Sequence, residues 1–212
     1  MRAGDFDPAQ DLDVGGGADV SVTAYRGFRH LPTSSVTLTP TPTPGMFIVQ
    51  PVLAYDRITL LGTDFSAVIG NYVVRGEAAY IFGDDRDGID PAVGNDTLAA
   101  VIGAETNVSG GTFLTLQAAY QRTAPDAGEE ATESLSSVLA ATFTPDNRLT
   151  LDVAWLHEWL DGSGAVRPSL AYTFADGLVG TLDATVLYGR EGSTYGAWSD
   201  NTRFGVGVKF SF

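Results

Sequence analysis

The last nine residues of the chain, 204–212, read FGVGVKFSF. Apolar residues occupy alternate positions from Phe204 to Phe212, and glycine, lysine and serine occupy the positions between them. Successive side chains of a β-strand point to opposite faces, so this pattern predicts a strand with one apolar face. Chain ends usually fray in soluble proteins, which makes three phenylalanines there unusual. The stretch raises the question of which solvent the apolar face meets.

The same alternation recurs along the chain, whereas no stretch shows convincing helical periodicity. Most runs are about 10 to 13 residues long, close to the roughly 9–11 residues that a tilted strand needs to cross a bilayer core. Ten strands are predicted, at residues 18–27, 57–69, 72–83, 96–108, 112–123, 134–144, 148–160, 165–174, 178–190 and 201–212.

The breaks between these runs are alternately short and long. Short turns lie at 70–71, 109–111, 144–147 and 175–177, and longer polar connections lie at 84–95, 124–132, 161–164 and 191–200. This is typical of an up-and-down outer-membrane barrel, with short periplasmic turns and longer outer loops. Residues 28–56, with the proline-rich core TPTPTPG, are predicted to form a long outer loop, and residues 1–16 a disordered or periplasmic segment preceding a barrel domain at 17–212.

Composition excludes several classes of function. The net charge of −14 repels phosphate backbones, so nucleic acid is not expected as a partner. The absence of cysteine excludes disulfides and thiolate chemistry. No run of about 18 apolar residues is present, so a helical membrane span is not expected.

Aromatic residues mark the strand ends on the apolar face, as in the two aromatic girdles of a membrane barrel. They are Tyr72, Phe82, Phe143, Trp155, Trp159, Phe174, Tyr188, Phe204 and Phe212. A soluble lipocalin-like barrel explains the alternation equally well, but not why the opposite face is poor in lysine and rich in small residues. We therefore predict an all-β, antiparallel, up-and-down transmembrane β-barrel of about ten strands. Its expected location is the outer membrane of a Gram-negative bacterium, with the bilayer and its outer-leaflet lipid as partners.

The alternating apolar residues of the last strand resemble the carboxy-terminal signal by which outer-membrane barrels are recognised for assembly. In this chain the signal comprises Phe204, Phe210 and Phe212. The resemblance implies the outer-membrane assembly machinery as a partner.

Two further stretches are YRGFRHLP at 25–32 and RITLLGTDFSAVIGNYVVRGEAAYIF at 57–82, with the motifs G-x-D-F and R-G-E-A-A-Y. They are similar to the carboxy-terminal part of a proteobacterial outer-membrane barrel family of unknown function. Members of that family are usually longer, so the resemblance implies that this chain forms the last part of a larger barrel. It implies porin-like transport and no catalytic residue.

Charged residues of both signs are predicted to face the barrel lumen. They are Asp64, Arg75, Glu77, Glu105, Arg148, Asp152, Glu158, Arg167, Asp183, Arg203 and Lys209. One interpretation is a salt-bridged plug, and the other is a polar path for small solutes. Barrels of about eight strands are filled by side chains, so about ten strands favour the plug if the chain is complete. For Arg75 the expected partner is Asp64 or Glu105.

An acidic stretch, DDRDGID at 84–90, contains Asp84, Asp85, Asp87 and Asp90. Carboxylates around a glycine turn can bind Ca²⁺, but the spacing lacks the closing glutamate of an EF-hand. A solvated loop is the preferred interpretation, and no other cofactor is expected.

Catalysis is not predicted, because the chain has only two histidines. His157 lies between two tryptophans at alternate positions on the apolar face of its strand, where a water-filled site is not expected. His30 lies near Ser34 and Ser35 in the long loop, a proximity that is common by chance.

Overall fold

The computed structural model of the protein describes residues 10–13, 17–83, 93–108 and 110–211. The strands are β1 (Gln10–Asp13), β2 (Ala18–Phe28), β3 (Thr33–Pro40), β4 (Phe47–Ala54), β5 (Arg57–Ile69), β6 (Tyr72–Phe82), β7 (Thr97–Val108), β8 (Thr112–Thr123), β9 (Thr132–Phe143), β10 (Leu149–Glu158), β11 (Ser163–Ala175), β12 (Leu178–Tyr188) and β13 (Arg203–Phe210). A short 3₁₀ helix, Gly196–Asn201, precedes β13. In the described part of the chain, no helix has the length and apolar character needed to cross a membrane.

Eleven strands form one antiparallel sheet in the order β1-β2-β5-β6-β7-β8-β9-β10-β11-β12-β13. The all-β antiparallel class is therefore confirmed, and all ten predicted strands are present with bounds close to those expected. Short turns connect the strands at one end of the sheet, near residues 70, 110, 146 and 176, and we call this the short-turn end. The opposite end, where the connections 29–56, 124–131 and 189–202 lie, is the long-loop end.

A separate two-stranded sheet, β3 paired with β4, lies within the predicted outer loop. Most of the TPTPTPG core lies in the turn between them, closed by a hydrogen bond from the Thr41 N–H to the Met46 carbonyl (3.0 Å). Proline cannot donate to a ladder, so the strand ends at Pro40. Strand β1 likewise falls within the predicted N-terminal segment and pairs with β2.

The eleven-stranded sheet is open among the described residues, because no ladder joins β13 to β1 or β2. The predicted closed barrel is therefore not confirmed. Ala165 is the only buried hydrophobic residue in the described part of the chain. The total accessible surface is 15034 Å², whereas a compact monomer of this mass would expose about 9,400 Å². Among the described residues, the sheet thus packs against no second layer.

The strand register divides the sheet into two faces. Phe204, Val206 and Phe210 of β13 lie opposite Ala184, Leu182 and Leu178 of β12, and this apolar face continues across the sheet to β2. On the alternate positions, which we call the polar face, Gly205 lies opposite Asp183 and Gly207 opposite Thr181. The apolar face is exposed, since Val206 keeps 82% of its surface accessible and Leu116 keeps 56%.

The hairpin turn between β11 and β12 depends on Gly177. Its φ of 76° is left-handed, and a Cβ there would collide with the carbonyl oxygen of Ser211. The Ser211 N–H donates to the Gly177 carbonyl (2.8 Å), so this turn also holds the end of β13. Gly70, in the turn between β5 and β6, has a φ of 62° but open space where its Cβ would lie.

Replacing Gly177 by alanine is therefore expected to cost more stability than replacing Gly70. Gly70→Ala introduces only the left-handed strain of about 1–2 kcal/mol, and Gly177→Ala adds a backbone collision of about 1–3 kcal/mol. Denaturant midpoints of the two variants in detergent give the comparison. Equal midpoints would show that the end of β13 does not lie against this turn.

Candidate functional site

The polar face collects the charges that the sequence assigned to a lumen. Ten of the eleven share this face by register: Asp64, Arg75, Glu77, Glu105, Asp152, Glu158, Arg167, Asp183, Arg203 and Lys209. Arg148 differs because it lies in the turn before β10. Asp19 of β2 shares the polar face and was not predicted, although its alternation with Val20 in ADVSVTAYRGF was visible in the sequence.

Arg75 forms an ion pair with Glu105, one of its two predicted partners. Their Nη1 and Oε1 atoms are 2.5 Å apart, and the side chains are 61% and 29% exposed. The other candidate, Asp64, accepts a short hydrogen bond from the Ser21 hydroxyl instead. Asp64 lies directly opposite Glu77, so two carboxylates face each other across neighbouring strands. Such like-charge pairs are unfavourable unless water solvates them.

A cavity of about 500 Å³ lies over this acidic pair. Six neighbouring strands, β2 and β5 to β9, contribute to its lining. Alanines form much of the floor, and Thr23, Gln121 and Ser134 contribute further polar groups to the lining.

A second cavity of about 360 Å³ lies on the polar face over β9 to β13. Asp152 and Asp183 line it together with Arg167 and Arg203, which form no ion pair with any described residue. Asp152 accepts hydrogen bonds from the Thr142 hydroxyl (2.6 Å) and the Ser169 hydroxyl (3.3 Å). Positive charge is thus available here, whereas the first cavity is acidic.

Glu158 has a different environment from the other charges of the polar face, because it is buried. Its Oε1 atom accepts the backbone N–H groups of Leu135 (2.9 Å) and Leu160 (3.4 Å). The Trp159 N–H donates to the Leu135 carbonyl (2.8 Å). Glu158 therefore stabilises the end of the β9–β10 ladder and the turn that follows.

At the long-loop end, Asp161 joins the β10–β11 turn to the segment before the 3₁₀ helix. Its carboxylate accepts the Ser163 N–H (2.9 Å) and the Thr194 N–H (2.7 Å). The Ser163 hydroxyl and the Thr194 N–H hold the pKa of Asp161 well below its usual value. Ser163 is fully buried, and its Oγ accepts the Tyr195 N–H (3.2 Å).

His157 belongs to an aromatic cluster on the apolar face. Its ring stacks on Trp155 with centroids 5.2 Å apart, and it packs perpendicular to Trp159 with centroids 4.6 Å apart. The Tyr188 hydroxyl accepts from Trp155 Nε1 (2.7 Å) and lies 2.9 Å from His157 Nδ1. Ser137, the residue opposite His157, accepts from Trp159 Nε1 (3.1 Å). These contacts give His157 a packing role beside the long-loop end.

The predicted assembly signal and calcium loop are only partly described. Phe204 and Phe210 lie on the apolar face of β13, 81% and 65% exposed, and Phe212 is outside the described residues. Asp84, Asp85, Asp87 and Asp90 are also outside them. Asp96, which follows that loop, accepts the Gly83 N–H (2.8 Å) and the Tyr80 hydroxyl (3.0 Å). The described ranges hold no group of three acidic or histidine side chains placed to bind a metal.

Comparison with known proteins gives no family for the chain. No protein-family model matches it, and no curated protein matches its sequence.

The Arg75–Glu105 ion pair is exposed, whereas Glu158 is buried, so we expect the two contacts to contribute differently to stability. Arg75→Ala breaks a half-exposed ion pair and is expected to cost about 0–1 kcal/mol. Glu158→Ala leaves two backbone N–H groups without their acceptor and is expected to cost about 1–3 kcal/mol. Glu158→Gln keeps an acceptor oxygen and should fall between them. Denaturant midpoints in detergent rank the variants, and a large effect of Arg75→Ala would instead indicate that the pair lies in a dry interior.

Acid is expected to loosen the segment held by Asp161. Because its pKa is lowered in the folded protein, the stabilisation is present above about pH 4 and is lost progressively as the pH falls below that value. Hydrogen exchange at the Thr194 amide, corrected for intrinsic rate, should accelerate on acidification. In Asp161→Asn the protection should be weaker at neutral pH and show no such step. Unchanged protection of the wild-type amide from pH 6 to pH 2 would contradict this assignment.

Proposed function

We propose that the chain forms the wall of a β-barrel in the outer membrane of a Gram-negative bacterium, and that its polar face lines a path for small solutes. The observation that carries the proposal is the division of the sheet into an exposed apolar face and a charged face. Contact between an apolar surface of this extent and water is unfavourable, and in native proteins such a surface marks a site that contacts a membrane or a partner. A bilayer offers an apolar solvent to the whole face at once.

The spacing of aromatic residues on the apolar face fits this solvent. Tyr72 lies near the short-turn end of β6 and Tyr80 near its long-loop end. Their separation is about 26 Å along the strand at 3.3 Å per residue, which corresponds to about 20 Å of height for a strand tilted by about 40°. Phe143 and Trp155 lie near the same two ends on β9 and β10. Membrane barrels carry an apolar band about 25 Å tall between two aromatic girdles.

Closure into a barrel would remove the free edges, which lipid leaves without hydrogen-bond partners. Two ways of closing the sheet into a barrel are compatible with the strand directions. In a ten-stranded closure β13 pairs antiparallel with β2, and β1 must leave the edge of β2. In a larger barrel β1 stays and further strands complete the wall, as the resemblance to longer barrel proteins implies.

An open path is favoured over a plugged barrel by Asp64 and Glu77, which lie opposite each other and form no ion pair with any described residue. A plug would enclose its charges in a dry network. The alanine floor of the first cavity leaves room for water, and Asp19, Asp64 and Glu77 make that part of the face acidic. We therefore propose passage of small solutes with a preference for cations, without catalysis.

Reconstitution in planar bilayers tests this proposal. We expect discrete conductance steps with cation selectivity, and a lower cation-to-anion permeability ratio in the double variant Asp64→Asn with Glu77→Gln. The matched control, Glu129→Gln with Glu130→Gln, removes the same charge from the β8–β9 connection and should leave the ratio nearly unchanged. Inserted protein without conductance would favour the plugged barrel. A chain that stays monomeric and folded in buffer without detergent would overturn the membrane assignment.

A further inference from the structure

The apolar face carries charge at one end only. Among the described strand residues on this face, the charged ones are Arg26, Arg57, Arg122 and Glu133. All four lie within about two residues of the long-loop end of their strands. The described strands carry no charged residue in the middle of this face or at its short-turn end. If this face meets hydrocarbon, these side chains lie at the level of lipid headgroups.

Two of the four charges neutralise each other, and two do not. Arg122 lies opposite Glu133, with Nε and Oε1 3.1 Å apart. Arg26 and Arg57 form no ion pair with any described residue. The register places Arg57 opposite Phe28 and Arg26 opposite Thr59. The two arginines are therefore diagonal neighbours on one face, with backbones about 7–8 Å apart.

Both arginines are exposed on this face. Arg57 lies over the Phe28 ring, with its Cζ atom 5.1 Å from the ring centroid, and this contact leaves its N–H edge free. The nearest acidic residue in sequence is Asp56, whose carboxylate accepts a short hydrogen bond from the Thr33 hydroxyl. Two like charges at this spacing repel each other unless an anion bridges them.

We infer that Arg26 and Arg57 bind the phosphate group of an anionic lipid in the outer leaflet; this rests on the proposed membrane function. Two guanidinium forks match the oxygens of a phosphate, and each can bind in the bidentate mode. Below them on the same face, Val22 and Leu61 are about half exposed and offer an apolar surface to the acyl chains. The headgroup and the chains of one lipid thus meet complementary parts of the β2–β5 surface.

Native mass spectrometry of the full chain in detergent micelles tests the site. The probes are phosphatidate and phosphatidylcholine with identical acyl chains, added at equal concentration. We expect preferential retention of phosphatidate, and a loss of about tenfold in its affinity in the double variant Arg26→Gln with Arg57→Gln. Arg167→Gln with Arg203→Gln removes the same charge from the polar face and should keep the preference. Arg26→Lys with Arg57→Lys keeps the charge without the fork and should give an intermediate affinity.

Three results would overturn the inference. They are equal retention of the two lipids by the wild type, equal losses in the apolar-face and polar-face double variants, and displacement of phosphatidate by millimolar inorganic phosphate, which would indicate a site for free anions. If the glutamine variant fails to fold, the lysine variant decides by the same comparison. A protein that conducts in bilayers but shows no phosphatidate preference refutes the lipid site alone. A protein that stays folded without detergent refutes the membrane proposal itself.

Discussion

The antiparallel hydrogen-bond ladder from β2 to β13 is the interaction on which the rest of the structure depends. No second layer from the described part of the chain packs on the sheet, so cross-strand pairing rather than a buried core holds the strands together. Side chains alternate between faces with a period of two, so a slip of one residue in any pair would exchange the faces. The common location of Asp64, Arg75 and Asp183 is therefore a consequence of register.

The polar face is stabilised differently along its width. Over β5 and β6 the carboxylate of Asp64 accepts the Ser21 hydroxyl, whereas Glu77 opposite it forms no ion pair with any described residue, and both carboxylates line one cavity. Over β9 to β11 the hydroxyls of Thr142 and Ser169 satisfy Asp152 in a row across three strands. Solvation of this kind requires water along the face, and this requirement links the charge pattern to the proposed solute path.

The described sheet leaves two kinds of surface without a partner: the backbone groups of its edge strands and the apolar face. Among the described residues, strand β13 has a partner on one side only, and its apolar residues are among the most exposed. The β3–β4 hairpin adds a further exposed surface at the long-loop end, with no charged residue between Thr33 and Ala54. Lipid can cover the apolar face, but only further backbone pairing can satisfy a strand edge.

The amino-acid sequence by itself determined the ten main strands, their antiparallel order and the residues on each face, because period-two alternation and turn chemistry are local properties of the chain. It did not reveal β1, which is too short for a pattern, or the pairing of β3 with β4 across a proline-rich turn. Only the tertiary structure decided that Arg75 pairs with Glu105, that Glu158 is buried, and that Arg26 lies diagonal to Arg57. These contacts depend on the register between strands, which joins residues distant in the sequence and is set by the whole ladder.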